Sequence, residues 1–342
     1  MELPPVFERY RVAVEGELRS ALDGRTLLLY NMLRYHMGWT DPHGKSEVLS
    51  GGKRLRPTLC LLACEAAGGS WRSALPAAAA VELVHNFSLI HDDIQDGDRE
   101  RRHRPTVWSL WGVGEGINAG DGMLTLACLA VLRLSAQGVD HARTVQAANL
   151  LHTACLRVIE GQHLDMSYER RLDVSVADYL SMIERKTGAL IEASVEMGAV
   201  LGTSDEATVP RLRRFAGALG LAFQVVDDVL GIWGDPAVLG KDALSDIRRR
   251  KKTLPVIYAR EHATAAARED MARIYGKETL AEEDVSHVVE VLESVQARRF
   301  ALQTADRYYR EAVAELDAMA AGHNKAVDEL KEVARFVVLR DR

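Results

Sequence analysis

Apolar residues recur at three- and four-residue intervals along most of the chain. That period predicts amphipathic helices over residues 5–36, 55–67, 74–95, 119–135, 142–168, 176–201, 209–233, 284–321 and 324–338. Alternation of apolar and polar positions, the strand signature, is nearly absent. Breaks fall at 38–52, 97–118, 202–208, 234–250 and 276–283, all carrying turn chemistry. No fixed-period repeat, low-complexity tract or interdomain linker is visible. The expectation is one all-α domain over 1–342 with ~10 or more helices. Sites in such bundles are built from inward side chains on facing helices, so polar groups at helical spacing inside apolar segments are the ones to follow.

Two segments meet that description. In VELVHNFSLIHDDIQDGDRERRHRP, Asp92 and Asp96 share one helix face and Asp93 flanks it. Like charges one turn apart repel, so the pair calls for a bridging cation, and oxygen-only ligands favour Mg²⁺ or a similar hard ion. Arg99, Arg101, Arg102 and Arg104 follow at once, guanidinium groups suited to phosphate oxygens. In GLAFQVVDDVLGIWGDP, Asp227 and Asp228 sit inside another apolar run, with Gln224 one turn before Asp228. Buried paired carboxylates without a counterion are costly, so two such pairs invite a shared metal cluster. Position 231, where a third carboxylate would fall, is Gly231; Asp235 and Asp246 lie beyond it.

Three basic elements accompany the acids. SGGKRLRP puts Lys53, Arg54 and Arg56 at a helix start opened by Pro57. ERKTGAL interrupts an amphipathic helix with Lys186 and Thr187, and GKDALSDIRRRKKTLP supplies Lys241, Lys251 and Lys252. Taken singly, each also reads as an ordinary solvated face; together they supply what two bound diphosphates would need, one through metal and one through side chains.

Composition narrows the setting. Charged residues are 27% and apolar residues 47% of 342, which excludes disorder and collagen-like repeats. The net charge of −6 gives no general nucleic-acid footprint. Cys60, Cys64, Cys128 and Cys155 lie in apolar helical stretches without a zinc-completing partner and read as buried free thiols. The opening residues carry charges every few positions, unlike a signal peptide. No apolar run approaches the ~18–20 residues of a membrane span, so a cytoplasmic protein with no membrane span is expected.

From about residue 50 to about 255 these motifs closely resemble the trans-isoprenyl diphosphate synthases: GGKRLRP, HDDIQD with RRHRP after it, GQHLD, KTGAL, FQVVDD and GK…D…KKTLP stand in the family's order. The resemblance implies an antiparallel helical bundle around a central cavity. It implies about three Mg²⁺ ions bound with substrate through Asp92, Asp93, Asp96, Asp227 and Asp228, with Asp92, Asp96 and Asp227 as the main ligands. It places isopentenyl diphosphate on Lys53, Arg56, His85 and Arg102. The allylic diphosphate falls on Arg101, Lys186, Thr187, Gln224, Lys241 and Lys251, with Gln162 and Asp165 as a supporting pair. A homodimer is typical of the family.

The implied chemistry is ionisation of the allylic diphosphate, attack by the double bond of isopentenyl diphosphate, and proton loss. On a helical wheel Ser88 lies only ~40° from Asp92, one turn below it, leaving an apolar tunnel open. Phe87 is the family's partial plug, which favours geranylgeranyl diphosphate. The rivals are a class I terpene cyclase and a non-catalytic regulatory subunit. A cyclase would not need the second anion site, and a subunit of that kind would lose aspartates or basic anchors.

Overall fold

The apolar periodicity resolves into helices along almost the whole chain. A computed structural model describes residues 3–47, 49, 52–169, 171, 173–203, 205, 207–234, 244–319 and 324–339, so Lys241 lies outside the described residues. The first helices are α1 (Val6–Ser20), α2 (Leu28–His36), α3 (Leu55–Ala66) and α4 (Leu75–Gln95). A two-stranded hairpin, β1 (Glu100–Arg101) with β2 (Arg104–Pro105), leads to α5 (Val107–Trp111), α6 (Val113–Leu132), α7 (His141–Glu169) and α8 (Val176–Ile183). After one π-helical turn at Glu184–Gly188 come α9 (Ala189–Gly202) and α10 (Thr208–Trp233). The remainder is α11 (Ser245–Arg248), α12 (Leu254–His262), α13 (Ala265–Tyr275), α14 (Glu282–Ser294), α15 (Ala297–Asp317) and α16 (Lys325–Leu339).

Helix α4 is the central rod. Ala77, Ala78, Ala79, Ala80, Val81, Leu83, Val84 and Ile90 are all buried, which is why its sequence is apolar on nearly every side. It packs on α6, α3 and α9, while α10 packs on α9 and α15. One apolar cluster runs from Val6 to Val338, and a smaller one ties Ile232 at the end of α10 to Ile247, Val256, Met271 and Val288.

Several sequence expectations change. The helix expected over 5–36 is split, because the chain turns at Gly24 (φ 72°) and Arg34 ties the turn down by donating to the carbonyls of Leu22 (3.0 Å) and Arg25 (2.8 Å). The helix expected over 284–321 breaks at Gln296, whose φ of 56° is left-handed. The helix expected over 176–201 is interrupted by the π turn. That turn is clamped from both sides: a Cβ on Gly161 of α7 would lie 2.2 Å from the Lys186 nitrogen, and one on Gly220 of α10 would lie 2.8 Å from Gly188 Cα. Cys128 departs from the expected burial; it is partly exposed, with Sγ 3.0 Å from His152 Nε2.

The expectation that no run is long and apolar enough to span a membrane is also corrected. Trp71–Gln95, Val113–Gln137 and Thr208–Trp233 reach that length and hydropathy. The bundle interior accounts for 72% of the first apolar window and 61% of the third, but only 44% of Val113–Gln137. That helix therefore keeps an apolar face outside the core.

Candidate active site

The first acidic motif sits at the C-terminal end of α4, with Asp96 as its cap residue. A helix C-terminus carries negative partial charge, so three carboxylates there need cations close by. Burial pushes the Asp92 carboxyl up to about 6, with Asp96 and Asp165 adding and Lys186 and Arg101 opposing. Among the described residues no donor hydrogen-bonds the Asp92 carboxylate. Asp93 points the other way, into the protein, where Arg101 Nε donates to its Oδ1 at 2.7 Å. Its carboxylate holds Arg101, leaving that guanidinium's two terminal nitrogens for a ligand.

The hairpin aims the next arginines. Its two-residue loop is Arg102 (φ 53°) and His103 (φ 60°), and positive φ at both positions is the type I′ turn. Neither residue is suited to that conformation, at a cost of ~1–3 kcal/mol each. The loop is held because Arg104 donates to the carbonyls of Tyr35 (3.0 Å) and Thr40 (2.9 Å) on the neighbouring segment. Behind it His36, a residue the sequence did not flag, is pushed down to about 3 by burial and by Arg101 and Arg102.

Four predicted anchors converge on a second wall. Lys53, Arg56, His85 and Arg102 line a cavity of about 210 Å³, floored by Phe7, Phe223 and Phe336. Arg54, in the same wall, is neutralised by Glu82 and Glu15, each at 2.7 Å. Arg56 and Arg102 have no carboxylate within ion-pair distance among the described residues, and Arg56 Nε is buried without a hydrogen bond. Burial lowers the pKa of both guanidinium groups. Burial, then the charges of Arg56, Arg102 and Arg101, push His85 well below its ordinary range, so it is a neutral imidazole.

The second acidic motif divides as the first does. Asp228 is buried and accepts from Tyr179 Oη, from the Leu254 N–H at 2.9 Å and from Gln224 Nε2 at 3.1 Å. Burial pushes it up to about 7. With three donors on it, Asp228 braces α10 against α8 and α12. Asp227, next to it, is less buried, and its charge acts on Arg56.

Between the two motifs lies the π turn. Lys186 Nζ forms an ion pair with Asp165, and Thr187 Oγ1 donates to Gln224 Oε1 at 2.7 Å. Burial would lower the Lys186 pKa, but Asp165, Asp92 and Asp96 outweigh it and raise it. Gln162 Nε2 donates to Gln95 Oε1 at 2.9 Å, and Gln162 Oε1 is buried without a donor. Lys251 is half-buried beyond α11 and gives its N–H to the Asp246 carbonyl at 2.9 Å. Phe87 is buried edge-on against His91, ring centres 5.0 Å apart, and the Ser88 hydroxyl turns back to the His85 carbonyl at 2.9 Å. Tyr179, which orients Asp228, and Arg249, which pairs with Asp98 at 2.5 Å, were not found from sequence. Neither belongs to a pattern that spacing alone marks.

The donor set suits a hard divalent cation. Asp92, Asp96 and Asp227 offer only oxygens, and no group of three or more ligands is preassembled among the described residues. Oxygen-only donors suit a hard ion that keeps water and phosphate oxygens in its shell, the habit of Mg²⁺.

A helical bundle with carboxylates and cations set on facing rods is an arrangement able to hold a diphosphate together with a metal ion. Residues 42–292 match the polyprenyl synthetase family model. A (2E,6E)-farnesyl diphosphate synthase of Mycobacterium tuberculosis is 38% identical over 339 residues, 98% of this chain and 93% of that one. A geranylgeranyl diphosphate synthase of the same species is 39% identical over 326 residues, covering 95% and 92%. A crystal structure of a polyprenyl synthetase from Streptomyces coelicolor superposes with a TM-score of 0.90 at 38% identity, covering 99% of this chain and 100% of that one. The chain belongs to the trans-isoprenyl diphosphate synthases, all-α prenyltransferases of farnesyl or geranylgeranyl type.

Proposed function

We propose that this prenyltransferase condenses isopentenyl diphosphate with dimethylallyl, geranyl or farnesyl diphosphate and releases chiefly geranylgeranyl diphosphate. The observation that carries the two-substrate reading is the separate basic cavity of Lys53, Arg56, His85 and Arg102, an anion site distinct from the acidic one. A cyclase ionises a single substrate and has no use for it.

Asp92, Asp96 and Asp227 would hold Mg²⁺, about three ions with substrate present. Bound there, the ions would offset the negative charge that grows on the allylic diphosphate as its C–O bond breaks. The terminal nitrogens of Arg101, together with Lys186 and Thr187, donate to that diphosphate from the protein side. Lys186 stays charged because Asp165 and Asp92 surround it. Arg56 and Arg102 hold the isopentenyl diphosphate, and neutral His85 donates one further hydrogen bond. His85 faces the diphosphate and is no base for the carbon chain; the proton released on condensation passes to the departing diphosphate.

Product length follows from the wall below Asp92. Ser88 leaves the direct path open, and Phe87 with His91 forms a barrier on the α6 side. A second copy of the chain fits the face formed by α6 and α7, where Val113, Ile117, Leu129, Leu132, Leu156 and Ile159 stand exposed. Ile117→Glu with Leu129→Glu would then run as a monomer in light scattering; an unchanged mass refutes the dimer. The reaction would take place in the cytoplasm, where the four free thiols remain reduced.

The deciding experiment is incubation with isopentenyl diphosphate and each allylic primer, with and without Mg²⁺, followed by product sizing. Metal-dependent geranylgeranyl diphosphate is expected. A cyclic hydrocarbon from geranylgeranyl diphosphate alone would overturn the reading in favour of a cyclase, and no turnover with any primer would favour a regulatory subunit.

A further inference from the structure

Arg104 differs from the arginines beside it, because its guanidinium is spent on the protein. Nη1 donates to the Tyr35 carbonyl at 3.0 Å, and Nη2 to the Thr40 carbonyl at 2.9 Å and Glu47 Oε2 at 3.3 Å. The group also lies over the Tyr35 ring, 4.1 Å from its centre. Tyr35 returns the contact, its hydroxyl donating to the Pro105 carbonyl at 2.8 Å. The ring is a fixed platform, buried and edge-on to Trp111 with ring centres 5.2 Å apart. Two carbonyls, a carboxylate and a ring face thus meet one planar fork, a set that a lysine could not satisfy.

The partners of Arg104 belong to one unit. Residues 38–49 fold back on themselves: the Glu47 N–H donates to the Trp39 carbonyl at 2.9 Å, the Leu49 N–H to the Gly38 carbonyl at 3.1 Å, and Thr40 pairs with Ser46. Thr40 and Glu47 stand on opposite limbs, so Arg104 grips both. The chain runs on from there to Lys53, just before α3, while the hairpin that carries Arg104 also carries Arg101 and Arg102. One side chain therefore fastens the segment that leads to Lys53 to the segment that bears Arg102.

Arg101 and Arg102 are held in different ways. Arg101 is braced by Asp93 at 2.7 Å, independently of the loop. No hydrogen bond or ion pair among the described residues holds the Arg102 guanidinium, so its aim comes from the loop backbone. That backbone is the left-handed pair Arg102 (φ 53°) and His103 (φ 60°), a form that residues other than glycine keep only when the flanks are tied.

We propose that Arg104 and Tyr35 are positioning residues for the isopentenyl diphosphate site. They touch no substrate; they hold the loop in its left-handed form and so register Arg102 against Lys53. This rests on the two-substrate reading above and adds two residues to it. The allylic side is spared, since Arg101 has its own brace.

The test uses the full chain, steady-state kinetics and a thermal midpoint for each variant. Arg104→Met is expected to raise the KM for isopentenyl diphosphate about tenfold or more, the effect of losing one charged hydrogen bond, while kcat and the KM for the allylic primer stay close to wild type. Tyr35→Phe, which removes only the bond to Pro105, is expected to move the same KM the same way by less. Glycine takes the second position of a type I′ turn unaided, so His103→Gly added to Arg104→Met is expected to bring that KM back toward wild type. Equal rises in both KM values, a fall in kcat alone, or no recovery in the double variant overturns the proposal, since each marks general damage instead of a lost aim. Should Arg104→Met not fold, a wild-type KM for isopentenyl diphosphate in Tyr35→Phe overturns it. Hydrogen–deuterium exchange reads the clamp without substrate: residues 38–47 and 99–106 are expected to loosen together in Arg104→Met, and an unchanged profile refutes the clamp. If the wild-type chain turns over no pair of substrates, the functional reading fails and this inference with it.

Discussion

The product-length argument makes opposite predictions at adjacent residues. Phe87 and Ser88 sit ~7.5 Å and ~6 Å below Asp92 along α4, at ~140° and ~40° from it around the axis. On the proposed reading Ser88 lies beneath the ionising end of the substrate, whereas Phe87 meets His91 edge-on at 5.0 Å, and His91 faces α6. Phe87 is only 5% exposed, so Phe87→Ala leaves a void worth about 3–5 kcal/mol of stability, including ~0.5–1.5 kcal/mol from the aromatic pair. The void opens sideways from the tunnel, toward α6, and gives a growing chain room for at least one more isoprenoid unit. Ser88→Phe places a ring directly in the path and should stop elongation at farnesyl diphosphate. Both variants are assayed by chromatographic sizing of labelled products, with a denaturation curve to confirm that Phe87→Ala remains folded at the assay temperature. A folded Phe87→Ala that still stops at geranylgeranyl diphosphate refutes the plug. A Ser88→Phe that makes wild-type product refutes the path.

Three further outcomes follow from the site. His85→Ala removes a hydrogen bond to a charged diphosphate worth ~1.5–3 kcal/mol, so the KM for isopentenyl diphosphate should rise about 10–100-fold while that for the allylic primer stays close to wild type in steady-state kinetics. Asp93→Ala strands Arg101 and should cost about 3 kcal/mol in chemical denaturation, the lower end for a buried pair because Arg101 is 26% exposed. Lys252 is buried over the Tyr275 ring, with burial pushing it down to about 8 against ~10.4 in the unfolded chain. The unfolded chain keeps the proton longer, so wild-type stability rises with pH between those values; Lys252→Met should be more stable than wild type at pH 7 by up to ~3 kcal/mol, with the gap closing toward pH 10.

What could be read from the sequence was what depends on local period. Helices α3, α4, α7 and α10 follow from apolar spacing, and both aspartate motifs were visible because carboxylates interrupt apolar runs. Spacing placed Asp92 beside Asp93 and Asp227 beside Asp228, but it could not say which of each pair turns inward. That is decided by partners distant in the chain: Arg101 on the hairpin for Asp93, and Tyr179 and the Leu254 N–H for Asp228. The π turn was legible only as an oddity at Lys186 and Thr187, since its geometry depends on Gly161 and Gly220 on two other helices. The Asp246 carboxylate that packs against Gly231 was not legible for the same reason: it arrives from another element.

The charges of the site share a single logic. On the acidic wall, burial raises Asp92 to about 6, which works against its ionisation. On the basic wall, burial lowers Arg56 and Arg102, which works against their protonation. Arg54 and Glu82 pair within the basic wall, and Lys186 and Asp165 pair within the acidic one, so these pairs do not spend the charges of Asp92, Arg56 and Arg102. The unliganded site is thus under electrostatic strain on both sides. Cations relieve the first wall and an anion relieves the second, so binding both substrates with metal discharges the two strains together. The same desolvation that disfavours the empty site strengthens each contact with the diphosphate as it takes up charge, since the interaction acts in a low-dielectric cavity and the donors are already in place.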